Sequence, residues 1–142
     1  MSEMTGTRQF SHALERLRGA GLRPTRQRLA LARLLFEQGD RHLSAEQLHA
    51  EAAAAHIQVS LATVYNTLHQ FTEAGLLREV VVDPGRSYFD TNTSDHHHFY
   101  CEGTGRLQDI PGAELNVAQL PAPPRGTAVT RVDVIVRVRN LD

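Results

Sequence analysis

Ser60-Leu-Ala-Thr-Val-Tyr-Asn-Thr-Leu-His-Gln-Phe-Thr-Glu-Ala-Gly75 reads as one helix with both ends marked. Ser60 is an N-cap whose hydroxyl can accept an orphan amide of the first turn, and Gly75 supplies the left-handed stop. Leu61, Val64, Leu68 and Phe71 recur at helical spacing as an inward stripe, leaving Ala62, Thr63, Tyr65, Asn66 and His69 mostly on the other face. Just upstream, Ser44-Ala-Glu-Gln47 is a capping box that opens a helix running through the alanines to Ala55. Two capped helices joined by a short turn, the second with small polar and aromatic residues in its N-terminal half, have helix-turn-helix grammar. In that arrangement the second helix reads base edges with its first two turns.

Working outward, Thr25 after Pro24 caps a further helix with Leu29, Ala32, Leu35 and Phe36 on one side, ending near Gly39. Phe10, Ala13, Leu14 and Leu17 form an earlier short helix after a Thr7 cap, closed by Gly19 and Gly21. Downstream, Leu76 to Val82, the turn Asp83-Pro84-Gly85-Arg86, and Ser87 to Phe89 read as a β-hairpin, with Pro84 and Gly85 suited to the centre of a type II turn. Helices followed by such a hairpin predict a winged helix; the competing reading is a small helical bundle whose hairpin binds a protein partner. Net charge is -1, so bulk charge does not point to nucleic acid. Its distribution does, since Arg8, Arg16, Arg18, Arg23, Arg26, Arg28 and Arg33 face a single nearby acid, Glu15, a local field suited to a phosphate backbone. On charge alone a solvated helix face fits equally well.

Thr91-Asn-Thr-Ser94 is short, polar and aperiodic, and reads as a linker. Beyond it, Phe99 to Cys101 and Arg106 to Ile110 are short strand candidates. Ala113 to Leu120 allows a short helix before Pro121, Pro123 and Pro124 stop it, and Thr130 to Arg139 alternates as a strand with Val132, Val134, Val136 and Val138 on one face. About fifty residues make a small core, so pairing with a second copy is the natural way to cover that sheet. The expected class is α+β: an N-terminal winged-helix DNA-binding domain over residues 1–88, then a small α/β dimerisation and metal- or haem-sensing domain over residues 89–142. No apolar run approaches a membrane span, and the polar N-terminus is no signal peptide, so a cytoplasmic protein that does not engage membranes is expected.

The chemistry concentrates in Tyr88-Phe-Asp-Thr-Asn-Thr-Ser-Asp-His-His-His-Phe-Tyr-Cys-Glu-Gly-Thr-Gly-Arg-Leu-Gln-Asp109. In an extended segment His96 and His98 project to one face and His97 to the other. Two imidazoles at that spacing can chelate one ion, and Asp90 and Asp109 could complete a mixed nitrogen and oxygen shell suited to Fe(II), Mn(II) or Zn(II). A solvated histidine run or a pH-sensitive loop is the competing reading, and the flanking aspartates bring the two level. Cys101 is the only cysteine, which excludes an intrachain disulfide and a cysteine-rich zinc cage within one chain.

Four ordered blocks, Gly21-Leu-Arg-Pro-Thr-Arg-Gln-Arg28, His42-Leu-Ser-Ala-Glu-Gln-Leu48, Ser60-Leu-Ala-Thr-Val-Tyr-Asn-Thr-Leu68 and Ser94-Asp-His-His-His98, together resemble the ferric uptake regulator superfamily of metal-dependent dimeric transcription factors. The resemblance covers nearly the whole chain. It implies a regulatory metal site of His42, Asp90, His96, His98 and Asp109, with His42 tying the DNA-binding half to the dimerisation half. It also implies that Arg23 and Arg28 meet phosphate or minor groove, and that Ser60, Thr63, Tyr65 and Asn66 lie at the recognition helix, Tyr65 pressing on a thymine methyl. The implied partners are AT-rich double-stranded operator DNA and a second copy of the chain; the implied role is regulatory, not enzymatic.

The departures from the pattern point to a branch. Thr104 stands where the second thiol of a Cys-x-x-Cys pair would be and the last strand has no cysteine, so a structural zinc site of the tetrathiolate kind is excluded; Val132 stands where a second metal site takes a histidine. The triple histidine, the Thr-Asn-Thr-Ser-Asp lead-in and the Val-Asp-Val-Ile-Val-Arg ending resemble most closely the iron response regulator branch, in which His96, His97 and His98 are implied to bind haem. Haem-synthesis or iron-handling proteins are further implied partners. The N-terminal Cys-Pro motif of some haem-responsive members is missing, and Cys101 reads as a buried small residue. Aspartate at both acid positions resembles the peroxide-sensing branch, which is the alternative within the family. Outside it stand a small metal-dependent hydrolase, for which no general base is evident, and an iron or haem storage module.

Overall fold

A computed structural model describes residues 12–141, and within them the chain forms two compact units, the first ending at Thr93 and the second beginning at Ser94. The first unit is built on four helices: α1 (residues 12–19), α2 (Arg26–Phe36), α3 (Ala45–Ala54) and α4 (Leu61–Glu73). The expected Thr7 cap, Phe10 and Arg8 lie outside the described residues. Each of the three later helices starts at the hydroxyl the sequence provides. Thr25 Oγ1 accepts from Arg28 N, Ser60 Oγ accepts from Thr63 N, and Ser44 and Gln47 close a reciprocal capping box. Gly75 ends α4 at φ 83°, the left-handed geometry that costs glycine nothing.

The apolar stripes of these helices meet in one core, where Leu17, Leu31, Leu35, Leu48, Leu68 and Phe71 are buried and the Phe36 and Phe71 rings pack 6.3 Å apart. One assignment fails: Leu61, expected inward, is 36% exposed, and the buried stripe of α4 begins at Val64. A three-stranded antiparallel sheet, in the order β1 (His42–Leu43), β3 (Arg86–Asp90), β2 (Arg78–Asp83), completes the unit. Gly85 takes φ 75° in the β2–β3 turn, as a type II turn requires at that position. Strand β3 runs through Phe89 and Asp90, so the division expected between 88 and 89 falls inside a strand, and both residues pair within the first unit.

The second unit is a sheet in the order β5 (Leu107–Ile110), β4 (His97–Cys101), β6 (Ile135–Val138), with β5 antiparallel and β6 parallel to β4. Tyr100, Leu107 and Ile110 are its buried apolar side chains. Two expectations are corrected. Residues 113–120 form no helix, only a turn at their start: Asn116 and β-branched Val117 are poor helix formers, and Pro121 biases Leu120 away from helical geometry, leaving too few residues to offset the cost of nucleation. The strand read over Thr130 to Arg139 is confined to Ile135–Val138, because only those residues lie opposite β4. Side-chain alternation sets which way residues face, but a ladder needs a partner to form.

Candidate metal centre

Strand β4 places its histidines as alternation requires. His98 pairs in register with Asp109 on β5, and His98 Nε2 lies 3.3 Å from Asp109 Oδ1. His96, just before the strand, brings its Nε2 within 3.6 Å of the same oxygen, and the two imidazole rings meet edge to face at 4.6 Å. One donor atom from each of these three residues lies within 4.8 Å of the others. His96 is 6% exposed and His98 1%, whereas Asp109 is 46% exposed, so the set has a buried nitrogen side and an open oxygen side. His96 Nδ1 is 2.7 Å from the Ser94 carbonyl, to which it donates; that fixes the tautomer and leaves the lone pair on Nε2, facing Asp109.

The fit to a divalent ion follows from the donors. Two imidazole nitrogens and a carboxylate, with no sulfur, suit borderline first-row ions such as Fe(II), Mn(II) or Zn(II).

Asp90 and His42 sit together in the first unit. They are direct partners across β1 and β3, and Arg78 on β2 faces Asp90 from the other side. Asp90 is 1% exposed and its Oδ1 accepts from Asn92 N at 2.9 Å. The segment is anchored from behind: Thr91 and Arg41 exchange backbone and hydroxyl hydrogen bonds, and the Arg41 guanidinium forks onto Glu51 of α3 and reaches the Leu34 carbonyl near the end of α2. Nothing in the sequence singles out Arg41, Glu51 and Thr91, because no local pattern marks a contact between positions so far apart.

The residues expected at DNA divide into fixed and open ones. Arg28 is tied down, donating to the Arg23 carbonyl at 2.8 Å and to Gln70 Oε1 of α4 at 3.0 Å, so it braces α4 against the segment before α2. Ser60 both caps α4 and donates to Thr63 Oγ1 at 2.9 Å. Arg23 and Asn66 are exposed, and Tyr65 is half-buried, donating from Oη to Glu46 Oε1 of α3 at 2.6 Å.

Residues 19–136 match the model of the ferric uptake regulator family. The chain belongs to that family. The peroxide-responsive repressor PerR of Staphylococcus aureus strain Mu50 is 32% identical over 108 residues, 76% of this chain and 72% of the relative. Among solved structures, the ferric uptake regulator of Pseudomonas aeruginosa with manganese is 30% identical and similar in fold, with a TM-score of 0.67 over 89% of this chain and 96% of that one. The regulator of Vibrio cholerae, 24% identical, shares the fold with a TM-score of 0.68 over 87% of this chain and 96% of its own. Members of the ferric uptake regulator family are transcriptional regulators, not enzymes, and a mixed helix-and-sheet fold agrees with membership. Among the described residues no helix is long and apolar enough to cross a membrane.

Cys101 departs from expectation, and His97 faces away as alternation predicts, which separates it from the three-histidine haem set. Cys101 is half-buried, not buried, and the hydroxyl of Thr104 lowers its thiol below the usual range, with backbone amides and Arg106 adding to the effect. His97 stands apart from His96 and His98. Its Nδ1 accepts a 3.0 Å hydrogen bond from Val134 N, just ahead of β6, so the three imidazoles do not present one face to a single ligand.

Proposed function

We propose that this ferric uptake regulator family member is an iron-responsive, homodimeric regulator that binds operator DNA in the cytoplasm, its first unit acting as a winged helix with α4 as the recognition helix. The observation that carries the reading is the convergence of buried His96 and His98 on Asp109. Asp90 and His42 are proposed to complete the ligand set from the first unit. Only Thr91-Asn-Thr-Ser-Asp95 separates Asp90 from His96 along the chain, and His42 is paired to Asp90 across the sheet. A bound Fe(II), Mn(II) or Zn(II) supplies the positive charge that lets these carboxylates and imidazoles share one centre. The residues then do the switching: His42 and Asp90 answer for the helices, His96, His98 and Asp109 for the second sheet, and holding both sets fixes the DNA-binding units of a dimer at one spacing. Arg23, Arg28, Thr63, Tyr65 and Asn66 supply phosphate and base contacts, and Ser60 holds the first turn that aims them.

The test is a mobility shift on duplexes selected from a random pool, with protein stripped of metal and then loaded with Fe(II), Mn(II) or Zn(II). A change in affinity of about tenfold or more with one ion is expected, and it is lost in His42→Ala. No ion response overturns the switch; no selected sequence overturns the regulator. A second reading, peroxide sensing, is favoured by aspartate at both acid positions and by similarity to PerR. Under it, Fe(II)-loaded protein exposed to peroxide gains one oxygen on the peptide carrying His96 and His98, visible by mass spectrometry. Under the iron-responsive reading that peptide keeps its mass.

A further inference from the structure

The outward face of α4 is a connected set of side chains. Tyr65 donates to Glu46 Oε1 at 2.6 Å, and its ring stacks on His69 with centroids 6.4 Å apart and planes at 21°. His69 in turn meets the buried Phe89 edge-on at 5.6 Å. The phenol is thus held at its oxygen by α3 and at its ring by a residue seated against β3.

Glu46 occupies the first turn of α3, where the helix dipole and unpaired amides favour an anion. The Tyr65 hydroxyl, followed by Glu46's own backbone, lowers its pKa, so it remains a carboxylate at neutral pH. An ionised carboxylate only accepts. The Tyr65 proton is therefore committed to Glu46, and the same bond raises the phenol's pKa so that the proton stays in place. What the oxygen can offer in any other direction is a lone pair.

We propose that Glu46 is a specificity-determining residue: by taking the Tyr65 hydrogen bond it makes the phenol oxygen an acceptor toward DNA, so that Tyr65 favours an A·T pair and rejects guanine at one step. In the major groove adenine presents an N6 amino donor, which suits an acceptor oxygen, and its partner thymine adds a methyl that an apolar ring can cover. Guanine presents only the N7 and O6 acceptors, and acceptor against acceptor is repulsive; its partner cytosine offers an N4 amino donor but no methyl. Stacking on His69 adds pre-organisation, since a ring already fixed loses less freedom on binding. The inference rests on α4 being the recognition helix and goes beyond that reading by assigning the polarity of one contact and the residue that sets it.

The experiment compares wild type, Glu46→Gln, Tyr65→Phe and the double variant by base-preference selection on random duplexes, then by anisotropy at fixed salt, each with and without Mn(II). Glutamine keeps the size of Glu46 but can donate or accept, so the phenol is no longer polarised one way. Wild type is expected to prefer A·T over G·C at one step by about tenfold, within the range a base-edge contact supplies. Glu46→Gln loses that preference, Tyr65→Phe loses it equally, and the double variant loses no more. A phenol absorbance titration, assigned by difference from Tyr65→Phe, returns toward the ordinary tyrosine range in Glu46→Gln, a signature that mere loss of packing does not produce. If Tyr65→Phe changes the preference and Glu46→Gln does not, or if Glu46→Gln changes it without the Tyr65 hydroxyl, the polarity proposal is overturned while α4 stands as the reader. If neither Tyr65→Phe nor Tyr65→Ala changes any base preference, Tyr65 reads no base and the polarity proposal falls; if wild type selects no sequence at all, the reading of α4 as the recognition helix falls with it.

Discussion

Removing metal should destabilise the second unit far more than the first. Its buried apolar side chains are Tyr100, Leu107 and Ile110, and the interior beside them is given to His96 and His98, whose Nε2 atoms converge on Asp109. An ion that binds this folded arrangement and not the unfolded chain stabilises it by about 2.7 kcal/mol when present at a hundred times its dissociation constant. For a unit this small, each kcal/mol moves the melting temperature by roughly 4–8 °C, so chelation is expected to lower it by about 10–20 °C. The capped, leucine-rich first unit, which loses the tie through Asp90 and His42 but keeps its own core, should shift less. Calorimetry in Mn(II) and in EDTA resolves the two transitions, and His98→Ala, which deletes a fully buried ligand, should melt alike in both. Should wild type melt identically with and without Mn(II) at concentrations shown by titration to exceed saturation, the three residues are not an ion site in solution.

The remaining expectations concern single contacts. Because the Tyr65 bond lowers the Glu46 pKa, its contribution is complete above the unfolded carboxylate range, about 4.3, and is lost as pH falls through the folded value. Because the same bond raises the Tyr65 pKa, its contribution is complete below about 10 and is lost as pH rises through the folded value. The difference in melting temperature between wild type and Tyr65→Phe should therefore be flat from about pH 5 to 9 and narrow on both sides; a difference that persists unchanged into acid and alkali refutes the pairing. Ser44→Ala breaks the capping box and should cost about 1 kcal/mol, read as a lower urea midpoint with unchanged slope. Gly75→Ala meets no neighbouring atom but must adopt φ 83°, so about 1–2 kcal/mol of backbone strain is expected in the same assay. His97→Ala should cost about 1 kcal/mol and speed hydrogen exchange at the Val134 amide while leaving Mn(II) affinity within a few-fold of wild type.

What can be read in the sequence is what is local. Thr25, Ser44 with Gln47, Ser60 and Gly75 mark helix ends through contacts spanning a few residues, and each sits where expected. The facing of His96 and His98 follows from strand alternation alone. Strand β1 is not legible, because His42 and Leu43 carry no periodicity and become a strand only through β3. Equally hidden are the Tyr65–Glu46 bond and the bond from Val134 to His97, since each partner lies on a different element and neither residue type demands the other. Asp109 can be named through family resemblance, but its approach to both histidines depends on the β4–β5 register.

That register is itself part of the site. Strand β4 assigns its two faces to different tasks: His98, with His96 before it, turns to Asp109, while His97 turns to the chain entering β6. A slip of one residue would exchange these faces, setting His97 toward Asp109 and a ligand toward Val134. Pairing of His98 with Asp109 on one side and with Ile135 on the other opposes such a slip, and the bond from Val134 N to His97 Nδ1 pins the same register at a second point. Any ligand that draws His98 and Asp109 together consequently also selects the one alignment of β4 in which His97 can hold β6, which links occupancy of the centre to order at the far edge of the sheet.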